Sequence, residues 1–209
     1  MMKPYIIFDM DGVIIDSETW YYKILQKYLR EKRILISESR LEKSIGLSTE
    51  DFYLQNEDMI NISLQDFIND YHTYINEYGI PRYEELVFPH IKDCFFELYQ
   101  RGIDIIIASS SSRQTIQDVL SEIKLQKFVE FYLGAENVEK KKPNPEIYLK
   151  IVDIKGYKPL FVVEDSYYGI QSAKAAKLKV IAYSQNVNNL NQSESDLIVY
   201  DHLEILKYC

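Results

Sequence analysis

The stretch YIIFDMDGVIID, residues 5–16, places four apolar residues directly before Asp9 and Asp11, which flank one methionine. Such a short apolar run, followed by polar residues and a glycine, is typical of a strand buried on both faces of a parallel sheet. Ligands bind these sheets beyond the carboxyl ends of the strands. We therefore expect both carboxylates to face a ligand crevice, where Gly12 lets the backbone turn sharply.

Similar apolar runs, rich in Ile, Val or aromatic residues, recur along the chain, and helical patterns lie between most of them. With the first run, they cover residues 5–8, 103–108, 131–133, 160–163, 179–183 and 197–200. The helical patterns cover residues 89–102, 112–125, 145–156 and 168–177. Alternation of strands with helices predicts crossover units, and hence an α/β fold with a parallel sheet.

The interval from residue 17 to residue 82 breaks this alternation, because its pattern is helical throughout. Ser17 is a plausible N-cap for the first helix, and Gly79 a plausible end for the last one. We therefore predict a helical domain at 17–82, inserted into a core domain formed by 1–16 and 83–209. Such an insertion follows the first strand directly.

The composition is that of a globular protein, with 209 residues, 46% of them hydrophobic, and a net charge of −8. This acidic balance argues against a nucleic-acid or anionic-membrane surface, because Asp and Glu outnumber Lys and Arg. The two cysteines, Cys94 and Cys209, suggest no disulfide framework, and the N-terminal apolar run is too short for a signal peptide. We expect a cytoplasmic monomer that acts on a small soluble substrate.

Other strand ends carry polar groups as well. The run IDIIIA leads into Ser109 and Ser110, LFVV leads into Glu164 and Asp165, and Lys142 stands before a proline that can begin a helix. If the strands are neighbours, these groups converge with the two aspartates. Several carboxylates need a counter-ion, and oxygen ligands in small number suit Mg²⁺, which shares its shell with a phosphate.

This set of groups indicates phosphoryl transfer. Asp9 would attack phosphorus and form an aspartyl phosphate, which splits the reaction into two easier displacements. Asp11 would protonate the leaving oxygen and then take a proton from water. A serine hydroxyl, backbone N–H groups and one lysine would hold the remaining phosphate oxygens.

Four segments of the chain resemble, in order and spacing, the four motifs of the haloacid dehalogenase-like hydrolase superfamily. They are DMDGVIIDSE (9–18), IIIASSSS (105–112), KKPNPEIY (141–148) and VVEDSYYGIQSAKAA (162–176). The pattern is most similar to the branch with a helical cap, which holds β-phosphoglucomutase and many small-molecule phosphatases. The resemblance implies a Rossmann-like core, a four-helix cap, and hinges at 13–17 and about 79–84.

The same resemblance implies roles for individual residues. Asp9 would be the nucleophile and a metal ligand, and Asp11 the acid/base whose backbone carbonyl also binds Mg²⁺. The other implied roles are Ser109 and the Ser110 N–H as phosphate ligands, Lys142 as the positive clamp, and Glu164 with Asp165 as metal-side carboxylates. Ser111 and Ser112 are expected to be little more than a helix cap.

The choice between a phosphatase and a mutase depends on the inserted helices. By position, β-phosphoglucomutases carry a His where this chain has Tyr21, and an Arg where it has Thr49. Without that arginine, a second phosphate loses a bidentate anchor. We therefore favour a phosphatase of sugar or polyol phosphates. A β-phosphoglucomutase-type mutase is the alternative, in which Arg40 or Lys43 would replace the missing arginine.

Aromatic side chains are dense in residues 17–82. Most of them are expected to pack between amphipathic helices. Trp20 and Tyr21 follow the first hinge closely, and their rings offer an apolar face with a polar tip that suits a leaving group. These two residues are therefore candidate substrate contacts.

A non-catalytic phosphoacceptor signalling domain is the alternative from another functional class. It also has a parallel sheet, an acidic cluster and a lysine, but its acceptor Asp would end an internal strand. Here the internal strand ends in Ser109, and the helical insertion has no counterpart in such a domain. Turnover of p-nitrophenyl phosphate would distinguish an enzyme from this switch.

Overall fold

The computed structural model describes residues 2–42, 47–79, 81–185 and 191–209, and these residues form two compact units. The sheet unit comprises Met1–Asp16 and Val87–Cys209, and the helical unit comprises Ser17–Leu86. The sequence placed the limits of the insertion at residues 17 and 82. Residue 80, in the second expected hinge, lies outside the described residues.

The strands of the described residues all belong to the sheet unit. They are β1 (Tyr5–Phe8), β2 (Asp104–Ala108), β3 (Val129–Leu133), β4 (Val162–Glu164), β5 (Val180–Tyr183) and β6 (Leu197–Val199). They form one parallel sheet in the order β3-β2-β1-β4-β5-β6. Phe8 of β1 lies opposite Ile107 of β2 and Val163 of β4. The predicted α/β fold is confirmed, and the first strand lies between the two strands that end in the other candidate groups.

The helices of the described residues alternate with these strands in the sheet unit and make up the helical unit. They are α1 (Ser17–Glu31), α2 (Glu38–Glu42), α3 (Thr49–Asn56), α4 (Leu64–Tyr78), α5 (Tyr83–Leu86), α6 (Ile91–Gln100), α7 (Arg113–Glu122), α8 (Glu146–Lys155), α9 (Tyr167–Ala175) and α10 (His202–Ile205). The short helices α2 and α5 were not predicted, because so few residues cannot display a 3.6-residue period. Among the described residues, no helix combines the length and apolar character that a membrane crossing requires.

The first strand is buried along its whole length, as its continuous apolar pattern predicted. Alternate side chains of a strand point to opposite faces of the sheet. Tyr5 and Ile7 pack in one cluster with Ile151 of α8, whereas the ring of Phe8 meets that of Phe95 on α6, with centroids 5.0 Å apart. Both faces of β1 are therefore covered by apolar side chains, and the polar residues follow at its carboxyl end.

The helical unit is built around aromatic side chains. Ser63 caps α4 by accepting a hydrogen bond from the Asp66 N–H at 3.2 Å. The rings of Tyr28, Phe67 and Tyr71 are buried in one cluster, and the Tyr28 hydroxyl donates to Asp70 at 2.9 Å. Most aromatic residues of this unit therefore have a packing role, as expected.

The two connections that leave the sheet unit are joined to each other and to α10. Ile15 pairs with Val87 in an antiparallel bridge. The buried ring of His202 contacts both connections, with Nε2 2.7 Å from the Val13 carbonyl and Nδ1 3.1 Å from the Pro89 carbonyl. Burial lowers the pKa of His202 to about 4, against the raising effect of these carbonyls. His202 thus joins both connections to α10.

Candidate active site

The carboxyl ends of three neighbouring strands bring the candidate residues together. Asp9 follows β1, Ser109 follows β2, and Glu164 ends β4 just before Asp165. The backbone continues the sheet at this edge, since the Asp9 N–H donates to the Val163 carbonyl at 2.9 Å. All four side chains are buried, with Asp9 7% exposed. The sheet order therefore places one hydroxyl and three carboxylates at a single edge.

Lys142 supplies the positive charge of this cluster. Its ammonium donates to Asp9 Oδ1 at 2.8 Å, to Glu164 Oε1 at 2.6 Å, and to the Ala108 carbonyl at 3.0 Å. Burial alone would lower the pKa of Lys142, but the charges of Asp9 and Glu164 outweigh it and hold the pKa well above its ordinary value. Lys142 is therefore a permanent cation beside the candidate nucleophile.

Glu164 is held by protein donors at both carboxylate oxygens. Oε1 accepts from Lys142 and from the Tyr148 hydroxyl at 2.8 Å. Oε2 accepts from the Asp165 N–H and the Ser166 hydroxyl, both at 3.1 Å. A buried carboxylate with this many donors is held rigidly in place. Its contacts fit a residue that positions Lys142.

The acidic cluster fits a magnesium ion in its donor chemistry. Asp9, Glu164 and Asp165 each offer one oxygen, and these oxygens lie within 4.8 Å of one another. Carboxylate oxygens, without nitrogen or sulfur ligands, are the protein ligands that Mg²⁺ prefers. Burial raises the pKa of Asp9 to about 8, although Lys142 opposes the rise. A divalent cation here would favour the ionised form of Asp9 that a nucleophile needs.

Two glycines allow the carboxylates to approach the backbone. A Cβ on Gly12, where φ is +76°, would lie 2.0 Å from Asp165 Oδ2. A Cβ on Gly169, in the first turn of α9, would lie 1.9 Å from Glu164 Oε1. In both places any larger residue must push a carboxylate out of the cluster.

We expect Gly169→Ala to lower both stability and activity, because the methyl group displaces Glu164 and loosens its contacts with Lys142. The free energy of unfolding should fall by roughly 1–3 kcal/mol, the usual cost of overpacking a core. Urea denaturation and the rate of phosphate release measure the two effects. Tyr168→Ala, at the exposed neighbouring position, is the matched control. Wild-type stability and rate in Gly169→Ala would contradict the geometry.

Asp11 is bound by two serines of the second motif. Ser111 Oγ donates to Asp11 Oδ2 at 2.7 Å, and Ser109 Oγ lies 3.3 Å from the same oxygen. Ser112 caps α7 by accepting from the Thr115 N–H at 3.1 Å. The expectation that Ser111 is little more than a helix cap is therefore wrong. A sequence signal for this contact existed, because Asp9-x-Asp11 and Ser109-x-Ser111 have the same spacing and each pair follows one of two neighbouring strands.

The other candidate residues are Ser110, Trp20 and Tyr21. Ser110 is exposed beside Ser109. Trp20 and Tyr21 lie on α1 of the helical unit, with their rings edge to face and centroids 4.9 Å apart. Tyr21 is exposed. Their contact with a leaving group stays a prediction.

Thr49 stands where a mutase would carry an arginine, and Arg40 and Lys43 were considered as replacements for that arginine. Thr49 is the first residue of α3. Arg40 forms an ion pair with Asp58, with Nη1 and Oδ1 3.0 Å apart. Lys43 lies outside the described residues. The guanidinium of Arg40 is thus already engaged by a carboxylate.

Known proteins resemble this chain over nearly its whole length. A family model described as haloacid dehalogenase-like hydrolase matches residues 6–183. A Bacillus subtilis protein named provisionally as the phosphatase YhcW is 30% identical over 207 residues, covering 94% of this chain and 89% of its own. The phosphorylated carbohydrates phosphatase of Thermotoga maritima is 24% identical over 181 residues, with 84% and 82% covered.

Solved structures share the fold. The β-phosphoglucomutase of Clostridium difficile superposes with a TM-score of 0.72 at 21% identity, covering 99% of this chain and 97% of its own. The family match contains all four segments singled out from the sequence, so the resemblance is confirmed. The chain belongs to the haloacid dehalogenase-like hydrolase family and is an enzyme of that family.

Proposed function

We propose that this enzyme is a Mg²⁺-dependent phosphatase of small phosphorylated metabolites, with sugar or polyol phosphates as the favoured class, and that it works through an aspartyl phosphate on Asp9. The observation that supports this most directly is the buried cluster in which Asp9 contacts Lys142 at 2.8 Å beside two further carboxylates. A nucleophilic carboxylate, a fixed cation and a divalent metal site are the parts that phosphoryl transfer requires.

In this mechanism the groups that bind phosphate and the two aspartates have separate tasks. The Ser109 hydroxyl, the Ser110 N–H and the Lys142 ammonium hold the non-bridging phosphate oxygens, which places phosphorus against Asp9. An oxygen of Asp9 forms a bond to phosphorus while the ester bond breaks, and Asp11 donates a proton to the leaving oxygen. Asp11 then removes a proton from water, whose oxygen attacks phosphorus and frees Asp9. Inorganic phosphate is released.

Mg²⁺ would be held by the carboxylates of Asp9 and Asp165 and by the backbone carbonyl of Asp11, and Glu164 is the third carboxylate of the same cluster. It would supply charge neutralisation at the phosphate, which lets an anionic carboxylate approach an anionic ester. Glu164 already binds Lys142 and Tyr148 at Oε1. We therefore assign it mainly to the positioning of the lysine.

We expect phosphate release to require Mg²⁺. Removal of divalent ions by chelation should abolish turnover, and added Mg²⁺ should restore it. Ca²⁺ should inhibit, because its larger and looser shell misplaces the phosphate relative to Asp9. Phosphate release after chelation and metal replacement is the measurement. Full activity in chelator, or equal activity with Ca²⁺, would contradict the proposed metal site.

The β-phosphoglucomutase reaction is the second candidate, favoured by the shared fold. Against it stand Tyr21 and Thr49 in place of the expected His and Arg, and the pairing of Arg40 with Asp58. A bisphosphate intermediate would then lack a bidentate anchor on the helical unit while it reorients. Water should therefore hydrolyse the phosphoenzyme before a second phosphoryl transfer to the sugar occurs.

A coupled assay tests this choice. With β-glucose 1-phosphate and a trace of the 1,6-bisphosphate, we expect inorganic phosphate and little glucose 6-phosphate. If glucose 6-phosphate forms many times faster than phosphate, the phosphatase proposal is wrong. A screen of phosphorylated metabolites, with p-nitrophenyl phosphate as the general substrate, would define the substrate class. No turnover of any of them would contradict the proposed phosphatase function.

A further inference from the structure

The contact between Ser111 and Asp11 is the feature of the site that the proposed mechanism does not use. Ser111 Oγ donates to Asp11 Oδ2 at 2.7 Å, the normal length of a hydrogen bond from a hydroxyl to a carboxylate. Both side chains are partly buried. The contact joins the second motif to the candidate acid/base of the first.

The backbone of Ser111 is fixed on both sides of this hydroxyl. Its N–H donates to Ser109 Oγ at 2.9 Å, and its carbonyl accepts from the Ala135 N–H at 2.9 Å. A Cβ on Gly134 would lie 2.8 Å from the same carbonyl oxygen, so the two loops approach closely. Ser111 is therefore a rigid point from which its hydroxyl can orient Asp11.

Ser109 cannot perform this task while it holds a phosphate. A serine hydroxyl has one proton to donate, and Ser109 Oγ is the longer of the two contacts to Asp11, at 3.3 Å. A phosphate oxygen that takes the Ser109 proton removes that contact. The Ser111 hydroxyl then remains as a donor to Asp11 Oδ2, at 2.7 Å.

We propose that Ser111 is the positioning residue of the acid/base Asp11, and that it orients the Asp11 carboxyl toward the leaving-group oxygen. This inference rests on the proposed phosphatase function. The Ser111 proton is not transferred. The proton on the Asp11 carboxyl goes to the ester oxygen as the bond from that oxygen to phosphorus breaks and the bond from Asp9 to phosphorus forms.

The dependence on the leaving group tests this role. An alkoxide is a poor leaving group and needs the proton of Asp11, whereas p-nitrophenolate leaves without one. The quantity kcat/KM includes only the steps up to departure of the leaving group, so dephosphorylation does not enter it. Ser111→Ala should lower kcat/KM for alkyl phosphates, such as the best sugar phosphate found, by roughly 10-fold to 100-fold, a part of the usual contribution of a general acid.

The same variant should change kcat/KM for p-nitrophenyl phosphate by less than about 3-fold, and the inhibition constant of inorganic phosphate should stay the same. Ser111→Thr keeps the hydroxyl and should restore most of the lost rate with alkyl phosphates. Ser112→Ala is the matched control, because that neighbouring hydroxyl contacts Thr115 in the cap of α7. It should leave the ratio between the two substrates unchanged.

Other results would overturn the inference. Equal losses with both substrates, weaker inhibition by phosphate, no rescue by Ser111→Thr, or the same ratio change in Ser112→Ala would each show that Ser111 binds phosphate or supports the loop instead. The proposed function fails separately, if the wild-type enzyme releases no phosphate from either substrate.

Discussion

Replacement of Asp9 by Asn is expected to abolish turnover, with a fall in phosphate release of at least about 10⁴-fold. The amide has nearly the shape of the carboxylate but cannot attack phosphorus. The fold should remain, because Lys142 keeps its 2.6 Å contact with Glu164. Phosphate release from p-nitrophenyl phosphate and from sugar phosphates measures the rate, and intact-mass analysis should detect no phosphoenzyme.

The matched control for this variant is Asp153→Asn, at an exposed position on α8. It removes the same charge from the surface and should leave the rate unchanged. Circular dichroism and urea denaturation should show both variants folded. An Asp9→Asn enzyme that retains more than about one tenth of the wild-type rate would contradict the assignment of Asp9 as the nucleophile, because an amide cannot attack phosphorus at such a rate.

Lys142→Met is expected to have the second largest effect, on stability as well as on activity. Met retains the apolar stem but leaves Asp9 and Glu164 buried without their common cation. Removal of one partner from a buried ion pair costs about 3–5 kcal/mol. The free energy of unfolding, measured by urea denaturation, should fall by about that amount, and phosphate release should be lost.

Two further variants show whether charge is the cause. Adding Glu164→Gln to Lys142→Met removes one unpaired carboxylate and should restore part of the lost stability, but not activity. Lys141→Met changes the exposed neighbouring lysine and should have little effect on either. If Lys141→Met abolished activity while Lys142→Met did not, the assignment of Lys142 as the phosphate-binding lysine would be wrong.

Much of the fold could be predicted from local patterns. The continuous apolar run at residues 5–8 predicted a central strand, since only a strand buried on both faces lacks polar alternation. The change to a helical period after Ser17 predicted the inserted helices. Gly79 and Ser112 supplied end signals for α4 and α7 that depend on the local backbone alone. These features are determined within a few residues along the chain.

The candidate site was partly predictable for the same reason. Asp9, Ser109 and Glu164 stand directly after apolar runs, and parallel strands end at one edge of the sheet. The order of the strands was not readable from the sequence. The structure places β1 between β2 and β4, which brings these three residues to neighbouring positions.

The contacts between side chains were decided by tertiary structure alone. The sequence by itself determined the strands, the insertion and the acidic strand ends, because each depends on local pattern. It could not show that Ser111 contacts Asp11 across 100 residues, that Tyr148 and Lys142 share one oxygen of Glu164, or that His202 of α10 contacts the carbonyls of Val13 and Pro89. Such contacts depend on how strands and loops distant in the chain pack in three dimensions, and no local periodicity records that packing.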